Sequence, residues 1–170
     1  MQLLRDYQRR ALDLTYDSWR KRTIRNPLIV APTGSGKGTM IAHFCKEALA
    51  AYPSTRIIIA THVQELVSQN AERFKLNAPM IPAGIYSSGL GRRDGAAPVL
   101  FASIQSIWKK AFELQGCDIL IIDEAHLLSH NSNGMYRRFI NDCLAIRAHM
   151  KVCGLTATKY RLDSGWLIDP

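Results

Sequence analysis

A glycine-rich segment ending in lysine, Ala31-Pro32-Thr33-Gly34-Ser35-Gly36-Lys37, follows the apolar run Leu28-Ile29-Val30. Far downstream an acidic pair, Asp123-Glu124, follows a second apolar run, Ile119-Leu120-Ile121-Ile122. The first arrangement suits phosphate. Glycine accepts the torsions that turn successive N–H groups to one side, so Gly34, Ser35 and Gly36 can line an anion-binding turn. A helix beginning there adds partial positive charge at its N-terminus. The Lys37 ammonium would neutralise β- and γ-phosphates. The second arrangement suits a hydrated cation and a water. Asp123 would hold Mg²⁺, mostly through water, because that ion keeps much of its hydration shell. Glu124 would orient and deprotonate an attacking water.

The loop departs from the general pattern G-x-x-x-x-G-K-[ST] at two places. Ala31 stands for the first glycine, and Gly38 stands where a hydroxyl should meet the metal. Thr39 comes one residue later. Either Thr39 reaches the ion, directly or through water, or metal affinity is weakened. Thr33, Gly34, Ser35, Gly36, Lys37, Gly38 and Thr39 together form the expected phosphate-binding set, with Asp123 and Thr39 on the metal. Thr156-Ala157-Thr158 closes a later apolar strand, where crevice residues of an open α/β sheet belong. Its two hydroxyls could hydrogen-bond the acidic pair and transmit the state of a γ-phosphate. His126 by itself reads as a structural hydrogen-bonder.

Strand-like runs alternate with helical spacing along the chain, which predicts the elements that must hold these groups. Leu28–Val30 leads into a helix from Gly36 to about Ala51. Arg56–Ala60 leads into Val63–Phe74, Val99–Ala102 into Ile104–Leu114, and Ile119–Ile122 through a loop, His130–Gly134, into Tyr136–Ala148. Val152–Leu155 closes the series, and Pro79–Pro98 reads as loop. The strands are uniformly apolar rather than alternating, so both faces should be covered by helices. The expected fold is α/β, a mostly parallel doubly wound sheet, in a single domain over residues 1–170.

With 170 residues the chain can bury one substantial core. A formal charge of +8 favours polyanionic partners, unless the charge serves only solubility. The 4 cysteines form no C-x-x-C pair and read as buried thiols of a reducing compartment. No apolar run is long enough to cross a membrane, and the N-terminus is no signal peptide, so a cytoplasmic protein is expected.

Taken in order, these segments resemble the first RecA-like domain of superfamily 2 DEAD/DEAH-box helicases, over essentially the whole chain. Ala31–Lys37 is similar to motif I, Asp123–His126 to a DEAH-type motif II, and Gly154–Thr158 to motif III. Ala60–Val67 resembles motif Ia, Phe101–Ser106 the motif Ib region, and Arg5-Asp6-Tyr7-Gln8 the upstream Q-motif. Within the superfamily, Gly154–Leu162 with Gly165-Trp166, and Ser88-Gly89-Leu90 with Arg92 and Arg93, look most like RadD-like DNA repair helicases. The resemblance implies ATP and Mg²⁺ as cofactors and nucleic acid, DNA rather than RNA, as partner. It implies that Gln8 reads adenine through N6 and N7, with Arg5 or Tyr7 against the base. Thr61, His62, Gln64, Ser103 and Gln105 would donate to a nucleic-acid backbone. Arg92 and Arg93 are either a DNA contact or solvated charge. Trp108 and Trp166 could stack on bases or simply pack. His126 would join Thr156 and Thr158 in coupling the sites. Lys159 departs from the family's usual proline.

Superfamily 2 enzymes close two RecA-like domains around ATP, and the second supplies arginines. No second domain is recognisable here, so it is expected in cis on a longer chain or in trans from a partner. Two other readings compete. Gly34–Thr39 is also similar to the phosphate loop of adenylate kinases, where glycine follows the lysine, although that family has no Asp123–His126 box. A nucleotide-responsive module that clamps nucleic acid without turnover is the other.

Overall fold

The computed structural model describes residues 3–127, 134–158, 160–161 and 165–166, the last two pairs as backbone only. Five α-helices are described: α1 (Asp6–Lys21), α2 (Lys37–Ala51), α3 (Gln64–Asn77), the four-residue α4 (Ile104–Ile107) and α5 (Met135–Ile146). Strands β1 (Leu28–Val30), β2 (Ile57–Thr61), β3 (Ala83–Ser87), β4 (Arg92–Arg93), β5 (Val99–Ser103), β6 (Ile119–Asp123) and β7 (Lys151–Thr156) form one sheet in the order β1-β7-β6-β2-β5-β3-β4. Every pairing is parallel except β3 with β4.

Crossovers between parallel strands are right-handed, so the direction of travel decides which face a helix covers. The chain moves one way across the sheet from β1 to β2 to β3, carrying α2 and α3. It returns from β5 to β6 to β7, carrying α4 and α5. The two helix sets therefore lie on opposite faces, as the apolar strands require. Successive strand residues show this directly. Ile57 and Ile59 face one core with Met40, Phe44, Val67 and Phe74, whereas Ile58 and Ala60 face the other with Ile104, Phe139 and Cys143. Phe74 packs on Phe101 with ring centroids 5.3 Å apart. α1 joins the first layer through Leu12 and through Tyr16 and Trp19, both against Phe44.

The doubly wound expectation holds, with three corrections. Pro79–Pro98 is not a plain loop, because β3 and β4 lie within it. Its Ala-Gly-Ile-Tyr-Ser strand carries a glycine and lacks a continuous apolar run, which hides it from propensity. That glycine is needed, because a Cβ on Gly84 would meet the Asp94 backbone oxygen at 2.7 Å. The helix expected over Ile104–Leu114 stops at Ile107 and continues as turns, and Gln115 and Gly116 take positive φ. Ile104, Ile107, Ala111 and Leu114 are still buried, although Phe112 is exposed, so the spacing reported burial rather than helix. Beyond Thr158, Tyr160–Arg161 and Gly165–Trp166 pair as an antiparallel hairpin, β8 and β9, that the sequence did not signal. His130–Asn133, Lys159 and the side chain of Trp166 lie outside the described residues.

Candidate nucleotide site and nucleic-acid face

The glycine-rich loop and the acidic pair meet because β1, β7 and β6 are adjacent. Val30 is level with Thr156, and Asp123 with Leu155, so all three strands end together. The ladder runs into the loop, where Ala31 N–H donates to the Thr156 carbonyl at 2.8 Å. β1 and β6 flank β7 and are thus about 10 Å apart, a gap long side chains can cross. Lys37 does so, with Nζ 3.2 Å from Glu124 Oε1. Gly36 caps α2 at φ 82°, and a Cβ there would meet Gln8 Nε2 at 2.5 Å. Only glycine accepts both the torsion and the contact.

Two donors from α1 hold the loop. Tyr7 Oη and Gln8 Nε2 both donate to the Ser35 carbonyl, each at 2.7 Å. Gln8 Oε1 accepts the Arg5 backbone N–H, capping α1. Gln8 is thus buried, and its amide faces the loop, while Arg5 is exposed. Ser35 Oγ is buried without a hydrogen-bond partner, an orphan that a phosphate oxygen would satisfy. Gly38 has ordinary room, since a Cβ would meet Arg73 Cβ at 3.9 Å. Thr39 follows about 100° further around the helix and is buried.

Asp123 is 5% exposed. Asn70 Nδ2 on α3 donates to its Oδ2 at 2.8 Å, and the Glu124 N–H donates to its Oδ1 at 3.1 Å. Burial holds the Asp123 carboxyl above its ordinary pKa, and Asn70 opposes that shift. Glu124 sits at φ 55°, a left-handed conformation unusual for a side-chain-bearing residue. Among the described residues no cluster of three or more His, Cys, Asp or Glu side chains could cage a metal. Such a donor set fits Mg²⁺ arriving on phosphates, since that ion typically takes one or two carboxylates and keeps several waters. Asn70 was missed in the sequence. Its signal is a polar residue on the inward face of α3, between the buried Val67, Ala71 and Phe74.

His126 connects the acidic turn to β7. Its Nδ1 is 3.1 Å from Thr156 Oγ1 and 3.3 Å from Glu124 Oε2. Thr156 Oγ1 gives its only proton to the Thr158 carbonyl at 2.9 Å, so it accepts from His126, which requires Nδ1–H. The expected direct bond from both hydroxyls to the carboxylates is therefore replaced. Thr156 acts through His126, and Thr158 contributes backbone.

The residues expected on nucleic acid divide by burial. Thr61 and Ser103 end β2 and β5 facing inward, at 1% and 3% exposure. Thr61 Oγ1 accepts the Val63 N–H at 3.4 Å, and Ser103 Oγ pairs with Ser106 Oγ at 2.7 Å. They shape the turns rather than offer hydroxyls to solvent. His62, Gln64 and Gln105 are exposed, and Gln105 Nε2 donates to the His62 carbonyl at 2.8 Å. Gln64 lies on Gly89, and Ser88 N–H donates to Ser106 Oγ at 2.9 Å, so the Ser88–Leu90 turn joins the same face. Arg92 and Arg93 are consecutive on β4, so their side chains point to opposite sides. Arg92 is paired with Asp94 at 2.5 Å. Trp108 is half-buried, with Lys109 Nζ 4.4 Å above its ring, so it packs.

Comparison with known proteins agrees with this geometry. The family model described as Type III restriction enzyme, res subunit, matches residues 2–161. A Saccharomyces cerevisiae protein named as an ATP-dependent helicase, IRC3, is 29% identical over 174 residues, covering 95% of this chain and 24% of that protein. The chain thus spans about a quarter of that relative's length. Solved structures share the fold. The UvsW helicase from bacteriophage T4 matches with TM-score 0.67 at 22% identity, over 91% of this chain and 52% of its own. The Pyrococcus furiosus Hef helicase domain matches with 0.70 at 23%, over 91% and 33%. The Sulfolobus solfataricus SWI2/SNF2 ATPase core in complex with dsDNA matches with 0.71 at 13%, over 92% and 32%. With the family model matching nearly its full length, the chain belongs to the family of the Type III restriction enzyme res subunit, and it shares the RecA-like fold of these helicase structures.

Proposed function

We propose that this chain is the ATP-binding motor domain of a superfamily 2 helicase or translocase that couples ATP hydrolysis to DNA binding. The observation that carries this reading is the meeting of Lys37 with Glu124 at one sheet edge, 3.2 Å apart. Without phosphate, Lys37 neutralises Glu124. A bound triphosphate draws the ammonium onto its β- and γ-oxygens, and Glu124 is released to take a proton from the attacking water. Ser35, Gly36 and the α2 N-terminus hold the phosphates, and Gln8 reads the adenine edge with the donor and acceptor capacity its present bonds leave over. Asp123 would hold Mg²⁺, with Thr39 as the hydroxyl that the loop offers in place of Gly38. The ion would supply charge neutralisation of the phosphates. His126 and Thr156 carry the change at Glu124 to β7.

His62, Gln64, Gln105 and the Ser88–Leu90 turn form the proposed nucleic-acid face, with one arginine of β4 at its edge. A net charge of +8 supports a polyanionic partner. DNA rather than RNA, a DEAH-type motif II, a repair role and a RadD-like affiliation belong to the same proposal. So does a second RecA-like domain, in cis or in trans, whose arginines stabilise transition-state charge. A cytoplasmic setting is supported by 4 buried free thiols, and no described helix is long and apolar enough to cross a membrane.

Phosphate release measured with and without single-stranded DNA and RNA tests the reading. Slow release by this chain, faster with DNA when the second domain is supplied, is expected. Phosphotransfer to AMP would move the protein to the kinase class. Binding of ATP and DNA without release, even with both domains, would make it a clamp.

A further inference from the structure

We infer that Asn70 is a positioning residue for the metal-binding carboxylate, and that α3 thereby ties the nucleic-acid face to the nucleotide site. The inference rests on the ATP and Mg²⁺ reading above. Asp123 ends β6 in a nearly closed environment and has only two hydrogen-bond donors among the described residues, Asn70 Nδ2 and the Glu124 N–H. They take different oxygens. The Glu124 donor is a neighbour in the chain and moves with the turn. Asn70 comes from a separate element, so among the described residues it is the donor that fixes the rotation of the carboxylate plane relative to the layer carrying the phosphate loop. A carboxylate free to turn about its last bond would present its oxygens to a hydrated ion only part of the time. Partners of this kind tune metal affinity substantially.

Asn70 also lies within two turns of Gln64, the first residue of α3, whose amide packs on Gly89. Val67, Ala71 and Phe74 seat the helix on the sheet with almost no exposure, so α3 moves as a rigid unit. A shift of its N-terminus on contact with a nucleic-acid backbone displaces Asn70 and with it the orientation of Asp123. The route runs beside the His126–Thr156 connection and shares no residue with it.

The test is the affinity of the 170-residue chain for a fluorescent ATP analogue, with Mg²⁺ and with EDTA, in wild type, Asn70→Ala and Asn70→Leu. Asn70→Leu keeps the volume and removes the donor. In wild type Mg²⁺ tightens binding. In both variants that tightening falls by about tenfold, while affinity in EDTA and the melting temperature stay near wild type. Tightening in Asn70→Leu equal to wild type overturns the positioning role. Equal losses with and without Mg²⁺ also overturn it, since they show general disruption of the site. A wild type insensitive to Mg²⁺ overturns the metal reading itself, which separates the two failures.

Discussion

Glu124 takes a left-handed backbone at φ 55°, a conformation that costs a non-glycine residue about 1–2 kcal/mol. What the strain achieves is visible in its contacts. The side chain reaches Lys37 and His126, while its own N–H turns back on Asp123. Replacing Glu124 with Gln keeps length and torsion but removes the proton acceptor. Nucleotide affinity should stay within a few-fold, while hydrolysis by the complete motor falls by about 10²–10⁴-fold, as measured by single-turnover phosphate release. Lys37→Ala removes a charge-assisted contact worth about 1.5–3 kcal/mol, so ATP affinity should fall roughly 10- to 100-fold in a direct binding titration. Gly38 invites the opposite change. Space for a side chain exists beside Arg73, so Gly38→Thr should fold normally and tighten Mg²⁺-dependent nucleotide binding by about tenfold. Unchanged magnesium dependence would show that Thr39 or water already fills the role. Gln8→Ala separates two uses of one amide. Loss of the loop bond weakens ATP and GTP equally, whereas loss of adenine reading erases the preference between them.

At the scale of elements, α3 has two functions that can be separated by mutation. Its inner face secures the sheet, and Phe74→Ala should cost about 3–5 kcal/mol, a large share of the stability of a domain this size, read from denaturant unfolding. Its N-terminus orients Gln64, which Gly89 accommodates only because it lacks a side chain. A Cβ at residue 89 would come within 2.0 Å of the Gln64 amide, the mobile end of a flexible chain. Gly89→Ala should therefore swing Gln64 aside, change stability by less than about 0.5 kcal/mol, and weaken binding of single-stranded DNA. Unaltered DNA affinity would remove Gln64 and this turn from the proposed face. β4 illustrates why a pair of arginines in sequence is not a pair in space. The strand alternates, so one of Arg92 and Arg93 faces away from whatever the other meets.

Across the whole molecule, two cores on either side of one sheet bury all 4 cysteines. Burial pushes the Cys153 thiol up to about 12 and Cys45 higher still. Both should resist a thiol reagent at pH 8 until the chain unfolds, when all 4 react, so labelling rate against denaturant reports global opening. Much of this architecture was legible beforehand, because continuous apolar runs followed by helical spacing can satisfy both sheet faces in few ways. The phosphate loop, the acidic pair and the alternation of β and α were all local in sequence, and a local pattern reads out local chemistry. What lay hidden involved partners distant in the chain. The spacing of Val67, Ala71 and Phe74 marks Asn70 as an inward polar group but does not name Asp123 as its partner, and nothing near Gln8 announces that its amide is bonded to Ser35. The strand β3, whose alanine, glycine and serine give it no continuous apolar run, emerges only from its pairing with β5. Whether Thr61 or Ser103 faced solvent depended on which way a strand end turned. Residue types and spacing thus determined what chemistry the chain can perform, because glycine torsions, an ammonium and two carboxylates carry it intrinsically. Which groups converge, and which are already committed to one another, was decided by strand order, because only β1, β7 and β6 standing side by side bring Lys37 against Glu124 and join Thr156 to Glu124 through His126.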